Sequence, residues 1–265
     1  AAKKVWFFFD KTYVCLGTDI SSRMKNQVLT TVNQCLLNGQ VTVSDADGIH
    51  PQERGSRMKK GVRWVVHDRV GYYFLNKENV ILSNQRTEGS WKIANRQTTT
   101  PTDIIQQDVF TLSVDHGSYP NNEGYAYMVV PSADPLSIEK QVEEEGVVVL
   151  ANCPDVQAVR HDGLNMAYAV FYKGGTLRIH DKIVVEMDAP GMLMVKYNDA
   201  GEILTLGVSD PTRFMKKLHL SVNQRIVGTA QENIQTEWDG KQALTRISVD
   251  LPQNEYAGKS VIYNK

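Results

Sequence analysis

Hairpin punctuation recurs along almost the whole chain and limits its fold more than any other feature. Asn38-Gly39, Asp47-Gly48, Lys173-Gly174-Gly175, Asn198-Asp199-Ala200-Gly201 and Asp239-Gly240 are the combinations that reverse a strand in a tight turn. Between them lie short runs rich in Val, Ile, Tyr and Phe, several alternating polar with apolar. In the first part these are residues 61–66, 70–74, 80–82, 109–114, 125–130 and 147–150. In the second they are 156–160, 166–172, 176–179, 183–187, 192–197, 203–208, 217–222, 244–249 and 260–263. Such runs read as strands. Long helical patterns are missing, which argues against alternating βα units. The expected class is therefore all-β, built from antiparallel sandwiches.

The chain opens on Val5-Trp6-Phe7-Phe8-Phe9, breaks at Asp10-Lys11-Thr12 and resumes at Tyr13-Val14-Cys15-Leu16-Gly17. This reads as a hairpin arm whose aromatic faces need other strands to cover them. A chain that opens inside a sheet is expected to be a piece of a larger protein. Trp6 and Trp64 sit inside strand runs and are expected in the core. Val28, Val32 and Leu36 have helical spacing, yet Thr30-Thr31-Val32 favours a strand, so pattern alone leaves that segment open. One helix is expected: Asp134 can cap it, Pro135 suits its first position, and Ile138 and Val142 share a face. Glu143-Glu144-Glu145-Gly146 would end it. A second short turn is read at Asp210-Pro211-Thr212-Arg213-Phe214. The joint between two domains is placed near Leu150-Ala151-Asn152, giving domains 1–150 and 151–265. Residues 97–107, with three consecutive threonines and a proline, read as an exposed loop.

The balance of 29 Lys and Arg against 30 Asp and Glu leaves a formal charge of −1. That offers no electrostatic footprint for nucleic acid. The longest apolar runs fall far short of the ~20 residues a membrane helix needs, so no membrane span is expected. Cys15, Cys35 and Cys153 are scattered and odd in number, which reads as free thiols rather than a disulfide framework or a metal site.

Candidate chemistry is sparse. His67-Asp68-Arg69 resembles a catalytic cluster on paper, but neighbours along a strand point to opposite faces, and a structural role is the simpler reading. Asp115-His116-Gly117 ends a strand, where the His can stabilise a turn. Asp45-Ala46-Asp47-Gly48 looks faintly like a calcium loop, yet the bidentate Glu that such a loop requires is missing. No phosphate-binding glycine loop, nucleophile elbow or zinc helix is present. Among the four tryptophans, Trp91 and Trp238 lie nearest turns and are the better candidates for stacking against a sugar face. By spacing alone, nothing here is a catalytic site. No metal or cofactor is assigned.

Taken in order, these residues resemble a known family. Ala2-Lys3-Lys4-Val5-Trp6-Phe7-Phe8-Phe9-Asp10 with Val14-Cys15-Leu16-Gly17 is similar to the central β domain of the chondroitin AC, hyaluronate and xanthan lyases. So are Thr30-Thr31-Val32-Asn33-Gln34 with Leu37-Asn38-Gly39, and His67-Asp68 with Gly71-Tyr72-Tyr73-Phe74. Asp115-His116-Gly117 with Tyr125-Ala126-Tyr127 and Pro131 follows in the same order. Val156-Gln157-Ala158-Val159-Arg160-His161 with Ala169-Val170-Phe171-Tyr172 resembles the start of the family's small C-terminal β domain, and Asn254-Glu255-Tyr256-Ala257-Gly258 fits its end. Each motif is weak alone, but their shared order spans essentially the whole chain, with the chondroitin AC type nearest.

The resemblance implies an α/α toroid, an antiparallel supersandwich related to mutarotase-like sandwiches, and a C-terminal β sandwich. This chain would hold the later part of the supersandwich and the whole last domain. It implies β-elimination at a uronic acid: an Asn neutralises the carboxylate, a Tyr helped by a His removes the C5 proton, and an Arg stands nearby. Those residues belong to the toroid and the start of the supersandwich, so none is carried over here. The implied partners are an acidic polysaccharide of the glycosaminoglycan class and the missing toroid of the same protein. The implied location is extracellular or periplasmic. Two other functions are open at this stage. One is a free-standing carbohydrate-binding module using Trp91 or Trp238. The other is an independent enzyme on a mutarotase-like sandwich, for which His67 and His116 are the only seeds.

Overall fold

A computed structural model describes residues 1–226 and 232–265. The chain divides into two units, Ala1–Gln141 and Val142–Lys265, each with its own core.

In the first unit nine strands form one branched antiparallel sheet. They are β1 (Lys3–Phe8), β2 (Tyr13–Ile20), β3 (Gln27–Leu36), β4 (Val41–Asp45), β5 (Gly48–Pro51), β6 (Ser56–His67), β7 (Val70–Gly89), β8 (Ile105–Ser118) and β9 (Glu123–Pro131). The order is β1-β2-β9-β7-β6-β4-β5, with β8 paired to β7 and β3 to β8. The branch arises on β7. Its residues 70–74 pair with β9, whereas residues 80–89 pair with β8. The half that carries β3 and β8 then packs across the half that carries β2, β6 and β9. The Phe110 ring stacks on His67 at 4.3 Å, and Cys15, Val65, Tyr72, Phe74, Val80, Leu82, Leu112, Val114 and Tyr127 fill the space between. The segment of ambiguous period around Val28, Val32 and Leu36 is thus a strand, β3. Its β-branched residues fit a pleated surface.

Two short helices follow: α1 (Trp91–Ala94) lies in this unit, and α2 (Ile138–Glu145) begins in it and runs past the division at Gln141/Val142. Asp134 does open the second, in a turn before the helix proper. Its Oδ1 accepts from the Leu136 N–H at 2.8 Å and its carbonyl from the Ser137 and Ile138 N–H groups. Ile138 is fully buried, and Trp64 donates its indole N–H to Glu139 at 3.2 Å. Trp64 is in the core as expected. Trp6 is not: it is 52% exposed and Phe8 is 66% exposed, while Val5 and Phe7, at the alternate positions, are buried.

The register explains the exposure. Trp6 pairs with Cys15, Cys15 with Tyr127, and Tyr127 with Phe74, so these four form one row across the core-facing side of the sheet. Phe8, Tyr13, Val129 and Tyr72 form the next row. The layer of β3 and β8 covers the far end of each row and leaves the β1 end open to solvent. The expected loop at 97–107 is also shorter than its composition suggests, because β8 already begins at Ile105, paired with Gly89.

The second unit is a two-sheet sandwich. One sheet contains β10 (Val147–Asn152), β11 (Val156–His161), β12 (Met166–Phe171), β15 (Gly191–Tyr197), β16 (Ile203–Ser209) and β20 (Val261–Asn264). The other contains β13 (Gly175–His180), β14 (Ile183–Met187), β17 (Lys217–Val222), β18 (Ile234–Asp239) and β19 (Leu244–Asp250). Phe171, Leu193, Val195 and Tyr263 of the first sheet meet Ile183, Val185, Leu218 and Ile247 of the second. Strand β10 pairs with β11 and is part of this unit. The division at Gln141/Val142 therefore falls before the joint placed at Leu150-Ala151-Asn152. The turn at Asp210 is held by its buried carboxylate, which accepts from the N–H groups of Thr212, Phe214 and Met215 at 2.8–2.9 Å.

One close approach in the first unit depends on glycine. Gly17 lies opposite Tyr125, and a Cβ added there would sit 2.1 Å from the Tyr125 ring. Gly17→Ala is expected to destabilise this unit by about 1–3 kcal/mol, read as a lower urea midpoint. Gly89→Ala, where an added Cβ meets nothing within 4 Å, should leave the midpoint in place.

Candidate functional site

Of the two tryptophans singled out by position, Trp91 is the more open. It begins α1, just past Gly89–Ile105, the last registered pair of β7 and β8, and is 62% exposed. The Ser90 hydroxyl accepts from the Lys92 N–H at 3.3 Å, and the Asn95 N–H closes the single turn onto the Trp91 carbonyl at 2.8 Å. Ile93, two residues on, and Ile104, next to the Ile105 that pairs with Gly89, are exposed as well, so the end of this arm carries exposed apolar residues besides the Trp91 ring. Trp238 lies within β18, opposite Thr245, and is 38% exposed. By strand alternation it shares the core-facing side of that strand with Ile234. The two tryptophans belong to different units.

His67 and Asp68 serve the backbone. Asp68 and Arg69 form the β6–β7 turn with φ of 48° and 62°. Asn38 holds both neighbours: its N–H donates to His67 Nε2 at 3.0 Å and its side-chain amide to Asp68 Oδ1 at 2.9 Å. With Nε2 accepting, the His67 Nδ1 proton faces Cys35 Sγ at 3.7 Å. Burial lowers the His67 pKa, against the pull of Asp68. A sealed, neutral ring stacked on Phe110 is a structural group.

Asp45 is likewise engaged. Its carboxylate accepts from the Asp47 N–H at 3.0 Å and meets His50 Nε2 at 3.1 Å and Lys59 Nζ at 3.2 Å. Burial works against the charge, but these partners outweigh it and hold the pKa below the usual carboxylate range. The Asp45–Gly48 segment is therefore a polar turn. No group of three or more His, Cys, Asp or Glu side chains among the described residues is placed to hold a metal.

His116 contacts Thr30 Oγ1 at 2.9 Å, and Asp115 Oδ1 accepts from the Gly117 N–H at 2.9 Å. Asp115-His116-Gly117 does not end the strand as its pattern suggests: it lies within β8, where the pairing with β3 shifts register, and the surroundings of His116 were not readable from the sequence. Glu78 lies in the stretch of β7 where the strand changes partner, and it accepts from the Ala126 N–H. Desolvation, aided by the nearby Glu123, pushes its carboxyl up to about 7. Desolvation also lowers His116, against Glu123, and raises Tyr125, whose ring stands 6.1 Å from His116. Lys4 Nζ lies over that ring at 5.9 Å. These groups come from β1, β7, β8 and β9, so no local spacing reveals them.

A large branched antiparallel unit followed by a smaller two-sheet sandwich defines an all-β pair of domains of the supersandwich type. Comparison with known proteins agrees. Residues 1–142 match the family described as polysaccharide lyase family 8, super-sandwich domain, and residues 148–219 match its C-terminal beta-sandwich domain. The chain belongs to polysaccharide lyase family 8. It is 35% identical over 260 residues to a chondroitinase-AC of Pedobacter heparinus, covering 98% of this chain and 34% of that protein. It is 27% identical over 224 residues to a xanthan lyase of Bacillus sp. strain GL1, covering 80% of this chain and 24% of that one. A solved chondroitinase AC lyase, studied in oligosaccharide complexes, superposes with a TM-score of 0.82 at 34% identity, covering 99% of this chain and 36% of the other. The chain thus spans about a third or less of the length of these relatives.

The raised carboxyl has a measurable consequence. Folded Glu78 keeps its proton up to pH about 7, whereas unfolded it releases it near the ordinary 4.5. Its contribution to stability is fully present below the unfolded value and is lost as pH rises through 7. Glu78→Gln removes that loss, so the variant should gain in melting temperature over the parent between pH 5 and pH 8. Melting curves of the two proteins that run parallel across this range would contradict the assignment.

Proposed function

We propose that this chain is the β portion of a glycosaminoglycan lyase that cleaves chondroitin- or hyaluronan-type polysaccharide by β-elimination. The reading rests on the family membership and on the names of the relatives. In it, bond breaking belongs to an α/α toroid of the same protein, and this chain supplies sheet support and one wall of the substrate cleft. The observation that carries the support role is the open end of the aromatic rows on β1. Trp6 and Phe8 face the same side as the core yet have no layer over them, and apolar surface of that kind favours burial against another element. The polysaccharide partner is acidic, the compartment is extracellular or periplasmic, and no cofactor is assigned to these domains. No residue of this chain is assigned a catalytic role. His67 is sealed behind Asn38 and Phe110, and His116 is engaged with the Thr30 hydroxyl at 2.9 Å within the sheet, so neither favours the independent-enzyme reading.

A carbohydrate-binding module is the second reading, favoured by the exposure of Trp91. Two measurements separate them. Incubated alone with chondroitin sulfate or hyaluronan, the chain is expected to form no unsaturated uronate, followed by ultraviolet absorbance. Clear turnover by the pure chain would overturn the support reading. In calorimetry with the same polysaccharides, specific binding lost in Trp91→Ala or Trp238→Ala would favour the module instead.

A further inference from the structure

The second unit carries a groove on the outer face of its five-stranded sheet. Alternation places Val185, Leu218, Leu220, Ile247 and Val249 in the core, so their neighbours face outward. The register aligns those neighbours in two rows. Glu186 pairs with Ser221, Ser221 with Arg246, and Arg246 with Glu237. One step along, Asp188 lies beside His219, which pairs with Ser248, and Ser248 with Gln235. Four strands at the usual spacing make each row about 14 Å long, and the rows lie about 7 Å apart. Both rows line a single concavity of about 580 Å³, within the range of ligand sites. Ser221 and Ser248 form a short-sided floor on the two inner strands, β17 and β19. The longer polar side chains stand around it.

From this we propose that the groove binds a neutral, hydroxyl-rich saccharide. Every outward group in the two rows is polar, and together they both donate and accept, as sugar hydroxyls do. The floor strands are paired on both sides, so no backbone is free there to add a peptide strand. No apolar side chain projects from the rows to anchor a helix. Charge decides between glycan classes. Glu186, Asp188 and Glu237 stand against the single guanidinium of Arg246, which is already held by Asp239 at 2.9 Å and Gln242 at 2.9 Å. A polyanion meets net repulsion here. A run of lysines finds no continuous acidic strip either, because Ser221 and Arg246 separate Glu186 from Glu237 in their row, and Asp188 spends one oxygen on the His219 N–H at 3.1 Å. The site is thus separate in kind from any surface that takes the acidic polysaccharide, and it does not rest on the lyase reading.

The test titrates the full chain by calorimetry with neutral hexasaccharides of glucose, galactose and mannose, with a chondroitin sulfate hexasaccharide, and with hexalysine. At least one neutral hexasaccharide is expected to bind. Ser248→Trp, which fills the floor, should weaken that binding by about tenfold or more at an unchanged melting temperature. Glu237→Ala, at an exposed wall position, serves as the second variant should Ser248→Trp fail to fold. No binding by any neutral hexasaccharide, binding that both variants leave intact, or stronger binding of chondroitin sulfate or hexalysine would each overturn the proposal.

Discussion

The first unit depends on one strand that serves two sets of partners. Residues 70–74 of β7 are bonded to β9 and residues 80–89 to β8. The two halves of the sheet can therefore face each other without a chain break, and β6 follows along one side of both. Hydrogen bonding is what makes this binding rather than optional. A buried backbone group left unpaired costs as much as a lost bond, so wherever β9 ends a second strand must take over. The core between the halves, with Phe110 on His67 and Phe74 near Tyr127, is a consequence of that handover.

The same handover sets the local electrostatics. Between Phe74 and Val80 the strand has no registered partner on the β9/β8 side, and that is where Glu78 sits. It is drawn in far enough to lose water yet receives only one backbone donor, the Ala126 N–H, while Glu123 opposes its charge. Desolvation then wins and the proton stays. Asp210 and Asp45 are held by several donors each, and both titrate below the ordinary carboxylate range although burial opposes it. Stronger desolvation and fewer donors together separate Glu78 from the other two carboxyls.

Much of this was legible in the chain itself. Turn chemistry at Asp47-Gly48, Asn198–Gly201 and Asp239-Gly240 corresponds to real hairpins, whereas Asn38-Gly39 links β3 to β4, which do not pair, and Asp134 does open the helix turn. The β class followed from those signals, and the family from the order of motifs that are individually weak. What escaped was non-local. Trp6 has the apolar neighbours of a core residue, and only the register shows that its row runs out from under the covering layer. Ile105 begins a strand because Gly89 lies opposite, although its own neighbourhood reads as loop. The Glu78 group and the outer groove draw their members from four strands each, so their composition is invisible along the chain.

The two units also differ in how they treat a sheet face. On β1 the uncovered face keeps aromatic residues at Trp6 and Phe8, with Lys4 beside Tyr125. On β14, β17, β19 and β18 the uncovered face is polar in every position of both rows. Water costs the second face nothing, while it opposes the first by roughly 25 cal/mol for each Å² of apolar area left exposed. A face of the first kind favours a permanent covering, because its exposure destabilises the protein throughout. A face of the second kind is stable in solvent and exchanges water for hydroxyl groups at little net change, which suits a reversible ligand. The contrast is consistent with the proposed assembly role of the first unit's open edge and the proposed recognition role of the second unit's outer sheet.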